Sequence, residues 1–192
     1  MSLAKQAKIL SITQQTAVLS YLSKKRHADR NTLMFLLSVD AGLRAKEIAN
    51  ITWDMVTDAE GELSDSINLV NFATKRGSGG IIYMSKRLQS AFSEYMKNRI
   101  ASYENAVIRS QQGGAMTAQT VTNWFFLLYQ ELGFIGCSSH SGRRTAITTW
   151  ARKIHSVGGS IRDVQRLARH RTLQMTERYI QISEDACRRV VG

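Results

Sequence analysis

Apolar and polar positions alternate along the chain in a way that predicts a series of amphipathic helices, interrupted once by a strand pattern. Ser11 and Gln14 have capping-box spacing, and Val18, Tyr21 and Leu22 share one face of a helix over about 11–25. Leu33, Leu36 and Leu37 form a second stripe, with Asp29 as its expected N-cap and Gly42 as its stop. A short helix opens at Arg44 and carries Glu47 and Ile48. The period then changes. Residues 58–61 read as a turn, and 66–72 (SINLVNF) alternate like a half-buried strand. Gly77, Ser78, Gly79 and Gly80 read as a hairpin tip before a second apolar run, IIYM.

Helical spacing returns after Ser85 at Leu88, Ala91, Phe92, Tyr95 and Met96. It returns again after Thr117, a natural N-cap, at Val121, Trp124, Phe125, Leu128, Tyr129 and Leu132. These aromatics read as core and not as base-stacking platforms. Residues 102–116 read as the connecting loop. Ser138 or Ser139 caps a helix to about residue 154, with Ile147, Trp150, Ala151 and Ile154 inward. Gly158-Gly159 breaks it, and Ser160 and Asp163 repeat the capping-box spacing ahead of Ile161, Val164, Leu167 and Ala168. A last helical piece spans 176–182 and includes Tyr179. The fold class is α+β, mainly α-helical, with a small antiparallel β-sheet or hairpin. No repeat, low-complexity run or composition break divides the 192 residues, so one domain over 1–192 is expected.

Composition narrows the partner. Hydrophobic residues make up 43% and charged residues 21%, as in ordinary globular proteins, but the net charge is +11. Residues 137–192 hold 11 Lys and Arg against 4 Asp and Glu, so +7 of that excess lies there. Such a field favours a polyanion, above all nucleic acid. Cys137 and Cys187 have no metal-ligand spacing and suit a reducing compartment. No apolar run has the length of a membrane span, and the first residues lack a signal-peptide core. With no proline in the chain, helix ends must rely on Gly, Asn, Asp, Ser and Thr.

The same basic segment holds the candidate chemistry. His140 and Arg143 form a His-x-x-Arg unit one helical turn apart, at a helix N-terminus that attracts phosphate. His170 follows, and Tyr179 lies nine residues beyond it. Arginines bind phosphate oxygens bidentately, histidines move protons, and a phenol can act as a covalent nucleophile. Alone, Arg44 is a surface residue able to pair with Glu47 across a turn, and Lys75 belongs to an ordinary charged hairpin. The glycine-rich tip beside Lys75 is not a P-loop.

Taken together, Arg44, Lys75, the His-Ser-Gly-Arg run at 140–143, His170 and Tyr179 resemble the catalytic set of the tyrosine recombinase (phage integrase) family. AGLRAKEI, SSHSGRRTAIT and LARHRTLQMTERYI carry the likeness over about residues 12–182. It implies that Arg44 and Arg143 clamp the scissile phosphate, and that Tyr179 forms a 3′-phosphotyrosyl bond, releasing a 5′-hydroxyl. Lys75 would protonate that leaving oxygen, with Arg76 and Lys86 as rival basic residues. His140 and His170 would assist proton transfer and orient the phosphate, while Glu47 supports the site. His27 and His155 match no catalytic position. No metal, cofactor or ATP is implied, since the arginines supply the positive charge. The implied partner is double-stranded DNA, met by a homo-oligomer (a tetramer) on paired sites, in the cytoplasm and associated with the nucleoid.

The chain departs from the family pattern in places. Ala168-Arg169-His170 replaces the common Leu-Gly-His, and Ser141-Gly142 stands between His140 and Arg143 where x-Leu is commoner. Only about ten residues precede the first expected helix, so the N-terminal core-binding domain of family members is expected to be absent and DNA binding to be weak and steeply salt-dependent. Two other functions use related residues: type IB topoisomerase-like strand relaxation, and a non-catalytic DNA-binding regulator.

Overall fold

The computed structural model describes residues 6–70, 79–97, 105–180 and 188. It forms two units, Met1–Ala146 and Ile147–Gly192, and the division falls within one helix.

In the first unit, α1 (Ile12–Leu22) begins with the expected capping box. The Ser11 hydroxyl accepts from the Gln14 N–H at 3.1 Å, and the Gln14 side chain accepts from the Ser11 N–H at 3.0 Å. α2 (Ala28–Val39) is the centre of the unit. Leu33 to Leu37 and Val39 are all buried, so the helix is covered on every side. It packs on α1, on α3 (Ala45–Ala49) and on α4 (Lys86–Lys97), while α3 packs on α5 (Ala118–Glu131). Asp29 is not the N-cap of α2. His27, in the left-handed region at φ 59°, holds that position, and the Asn31 amide reaches back to the Arg26 carbonyl. Asp29 instead lies in the first turn, where a carboxylate suits the helix dipole.

β1 (Ser66–Leu69) and β2 (Gly80–Tyr83) pair antiparallel, with Ile67 opposite Ile82. Ile67, Leu69 and Ile82 enter the core, whereas Ile81 and Tyr83 are exposed, as a half-buried two-stranded sheet requires. The expected strand thus begins at Ser66, and its final residues lie outside the described ones, as does Lys75.

Residues 105–116 are more than a loop. The Val107 N–H donates to the Ile51 carbonyl at 3.0 Å, the Met116 N–H donates to Ile108, and Val107 and Ile108 are buried. Two adjacent apolar residues are too short a run to reveal a period. The α4 and α5 aromatics enter or flank this core as expected. Trp53 stacks on Tyr95 at 6.2 Å, and Phe125 on Tyr129 at 6.0 Å. Burial pushes the Tyr129 phenol well above its usual range.

α6 (Ser141–Lys153) starts one to two residues later than a serine cap would place it. The Ser138 hydroxyl accepts from the His140 N–H at 3.3 Å, and the His140 carbonyl takes the first helical bond, from Arg144. Its first turn lies hard against α2. A Cβ on Gly142 would sit 2.8 Å from the Ser38 Cβ and 3.0 Å from its carbonyl carbon. The Thr145 hydroxyl, one turn on, accepts from the Leu10 N–H at 2.9 Å.

In the second unit, a 3-10 turn (Ile154–Val157) prolongs α6 and ends at Gly158, φ 78°. α7 (Ile161–Leu167) carries the expected box between Ser160 and Asp163. The Ser160 N–H and hydroxyl hold the Asp163 carboxyl below its ordinary range. Ile147, Val164 and Ala168 form the core, flanked by Trp150, Ile154, Ile161 and Tyr179. The last described helix, α8, spans Leu173–Glu177. Among the described residues no helix is long and apolar enough to cross a membrane.

Gly142→Ala is expected to lower stability by about 1–3 kcal/mol, the usual cost of overpacking, because moving the Ser38 hydroxyl aside would still leave the Ser38 Cβ and carbonyl carbon in the way. An unchanged midpoint in urea unfolding would show that the contact has slack.

Candidate active site

Two groups of predicted residues are anchored in the first unit. Arg44 precedes α3 in extended conformation. Its guanidinium meets the Glu47 carboxylate at 2.9 Å, and its own N–H donates to the other Glu47 oxygen at 2.8 Å. Glu47 is fully buried and the Arg44 side chain is 24% exposed, so the carboxylate holds the arginine from beneath. The i,i+3 pairing read from the sequence is therefore present, and it leaves part of the guanidinium facing solvent.

Arg143 is 3% exposed, and its Nη1 donates to the Gly42 carbonyl at 2.6 Å. Gly42 lies two residues before Arg44 and turns the chain at φ 63°, a conformation that favours glycine. One turn thus receives Arg143 and leads directly into Arg44. His140 is exposed at the head of α6, one turn before Arg143.

In the second unit, His170 and Tyr179 come together. Their rings stack with centroids 5.4 Å apart and planes 28° apart. Tyr179 is not inside a helix, contrary to the reading of 176–182 as one piece. α8 ends at Glu177, and the Tyr179 N–H closes a turn onto the Thr176 carbonyl at 2.9 Å. Its carbonyl accepts from the Thr148 hydroxyl at 3.3 Å.

The backbone of His170 is set by the end of α7. The His170 N–H donates to Gln165 and the Arg169 N–H to Arg166, both at 3.0 Å, which is the Schellman pattern. That motif needs a left-handed residue between helix and exit, and Arg169 fills the position at φ 52°. The Gln165 amide also donates to the His170 carbonyl at 3.1 Å. The His170 ring is tied separately, with Nδ1 3.0 Å from the Thr176 hydroxyl, and both residues are buried.

Sequence reasoning had not singled out Gln165 or Thr176. Gln165 sits five residues before His170 and Thr176 six after, spacings that no helical or strand period flags. Gly42 was read only as a helix stop, whereas its carbonyl also anchors Arg143. Among the described residues no group of three or more His, Cys, Asp and Glu is placed to hold a metal. A cleft of about 240 Å³ lined by Phe126, Tyr129, Phe134, Ile135 and Cys137 contains none of the predicted residues.

The first unit supplies two anchored guanidiniums and an exposed imidazole at a helix head, and the second a phenol stacked on a second imidazole. The chain belongs to the phage integrase family, whose model matches residues 8–185. No curated protein sequence matches it significantly. Its fold is that of solved tyrosine recombinases. It resembles the XerA recombinase with a TM-score of 0.76 at 20% identity, over 95% of this chain and 63% of that one. The Tn1549 transposon integrase, solved in complex with a circular intermediate DNA, gives 0.77 at 20% identity, over 98% and 66%. The lambda integrase dimer bound to a core site gives 0.66 at 16% identity, over 94% and 52%. The chain spans less than two thirds of the length of each of these structures.

The left-handed Arg169 can be tested by comparing Arg169→Gly with Arg169→Ala. Both remove the guanidinium, but only glycine removes the Cβ penalty, so the glycine variant is expected to be more stable by about 1 kcal/mol. Equal urea midpoints would show that φ at this position relaxes at no cost.

Proposed function

We propose that this chain is the catalytic domain of a site-specific DNA recombinase that breaks and rejoins strands through a 3′-phosphotyrosyl intermediate. The observation that carries this reading is the double anchoring of Arg44 and Arg143, by Glu47 and by the Gly42 carbonyl. Guanidiniums fixed before substrate arrives stabilise charge on non-bridging oxygens without reorganising as phosphorus becomes five-coordinate. Family membership and the pairing of Tyr179 with His170 support the same chemistry.

In the proposed reaction the Tyr179 oxygen attacks phosphorus and the bond to the 5′ oxygen breaks. The phenol gives up its proton to one histidine of the pair while the other helps orient the phosphate, and the leaving oxygen takes one from Lys75. The phosphotyrosyl link conserves the bond energy, and a 5′-hydroxyl of a second duplex reverses the step to complete exchange. Glu47 serves by holding Arg44. The solved Tn1549 and lambda integrases are complexes with DNA, which supports double-stranded DNA as the partner of this chain. A homotetramer on paired sites and a nucleoid-associated place in the cytoplasm complete the proposal. DNA binding by this catalytic domain rests largely on phosphate contacts and falls steeply with salt.

A nicked suicide duplex that traps the covalent complex tests the reaction. Tyr179→Phe is expected to bind DNA as the parent does and to yield no adduct; an adduct of undiminished yield would place the nucleophile elsewhere. Arg143→Ala is expected to slow adduct formation by about 100-fold or more, since an oxyanion loses a charged donor. A loss below about threefold would rule out a clamp of that kind.

A further inference from the structure

We infer that Thr176 is a positioning residue that locks the tautomer of His170. The inference deepens the recombinase reading and rests on it for the catalytic consequence, though not for the lock itself. Thr176 is wholly buried in α8, and its hydroxyl lies 3.0 Å from the His170 Nδ1. Among the described residues Nδ1 is the one hydrogen-bond partner of this hydroxyl. A buried hydroxyl proton needs an acceptor, because leaving it unmet forfeits the full desolvation penalty. The Thr176 proton therefore points at Nδ1, and Nδ1 carries none. A neutral imidazole with a bare Nδ1 holds its proton on Nε2.

Three further contacts keep the ring from escaping this arrangement. The Schellman turn fixes the His170 N–H, the Gln165 amide fixes its carbonyl, and the Tyr179 ring covers one face. The hydroxyl thus selects which nitrogen is the donor, while the turn and the stack set where the ring lies. His170 then acts as an Nε2–H donor to a phosphate oxygen, and acceptance of the phenol proton falls to His140. Thr176 touches no reacting atom. Its effect passes through His170 alone, as a hydrogen bond to the far nitrogen of an active-site imidazole fixes the near one.

The test has two arms. Long-range proton–nitrogen NMR spectra of the isotopically labelled chain near neutral pH report the tautomer directly. The parent is expected to show a protonated Nε2 and a bare Nδ1. Thr176→Val, nearly the same shape without the hydroxyl, is expected to give a mixture, and Thr176→Ser to restore the single form. A parent with its proton on Nδ1, or a valine variant with an unchanged spectrum, would overturn the inference. In the suicide-duplex assay Thr176→Val is expected to slow adduct formation by about 10- to 100-fold, as loss of an orienting partner does, with DNA affinity unchanged. Thr176→Ser is expected to recover most of that rate. Equal slowing in both variants would reduce Thr176 to packing. If the parent forms no adduct at all, the recombinase reading fails while the spectra still decide the tautomer.

Discussion

The first unit depends on how closely α6 can approach α2. A helix whose first turn includes Gly142 can bring its backbone onto Ser38, where any side chain would collide with main chain. That approach lets Arg143 reach the Gly42 carbonyl and Thr145 reach the Leu10 N–H. It explains why glycine precedes the arginine here, where a larger residue is commoner in the family. Among the described residues the Ser38 hydroxyl, buried at this contact, has no hydrogen-bond partner. The loss of that bond is accepted where the backbone approach is required.

The second unit solves a different problem with little core. Among the described residues Ile147, Val164 and Ala168 are its buried apolar core, and hydrogen bonds share the positioning. The capping box at Ser160 starts α7, the Schellman pair ends it, and the Thr148 hydroxyl holds the Tyr179 carbonyl. The first two are short-range devices, and the third spans 31 residues to hold a segment that carries chemistry at its end.

Local chemistry was legible in the sequence. Ser11 with Gln14, Ser160 with Asp163, Arg44 with Glu47 and Thr117 before its helix are all interactions within one turn, and all are present. Features that depend on distant partners were not. His27 displaces Asp29 as N-cap through a left-handed entry that no composition rule favours. Val107 and Ile108 join the core because Ile51 and Thr52 offer them an edge to pair with. Of the candidate site residues, the arginines and Glu47 could be read from motif and spacing. The anchoring of Arg143 by Gly42, and that of His170 by Thr176, needed the fold.

The left-handed Arg169 also biases the equilibrium of its turn. Glycine is nearly indifferent to the hand of its backbone, but an arginine released from the Schellman bonds falls toward the right-handed region, by about 1 kcal/mol, roughly a fivefold bias in population. The turn ahead of the imidazole is thus preloaded. Once its two amide bonds open, the left-handed state is less populated by that factor than a glycine would leave it, so the Schellman bonds carry the cost of that bias.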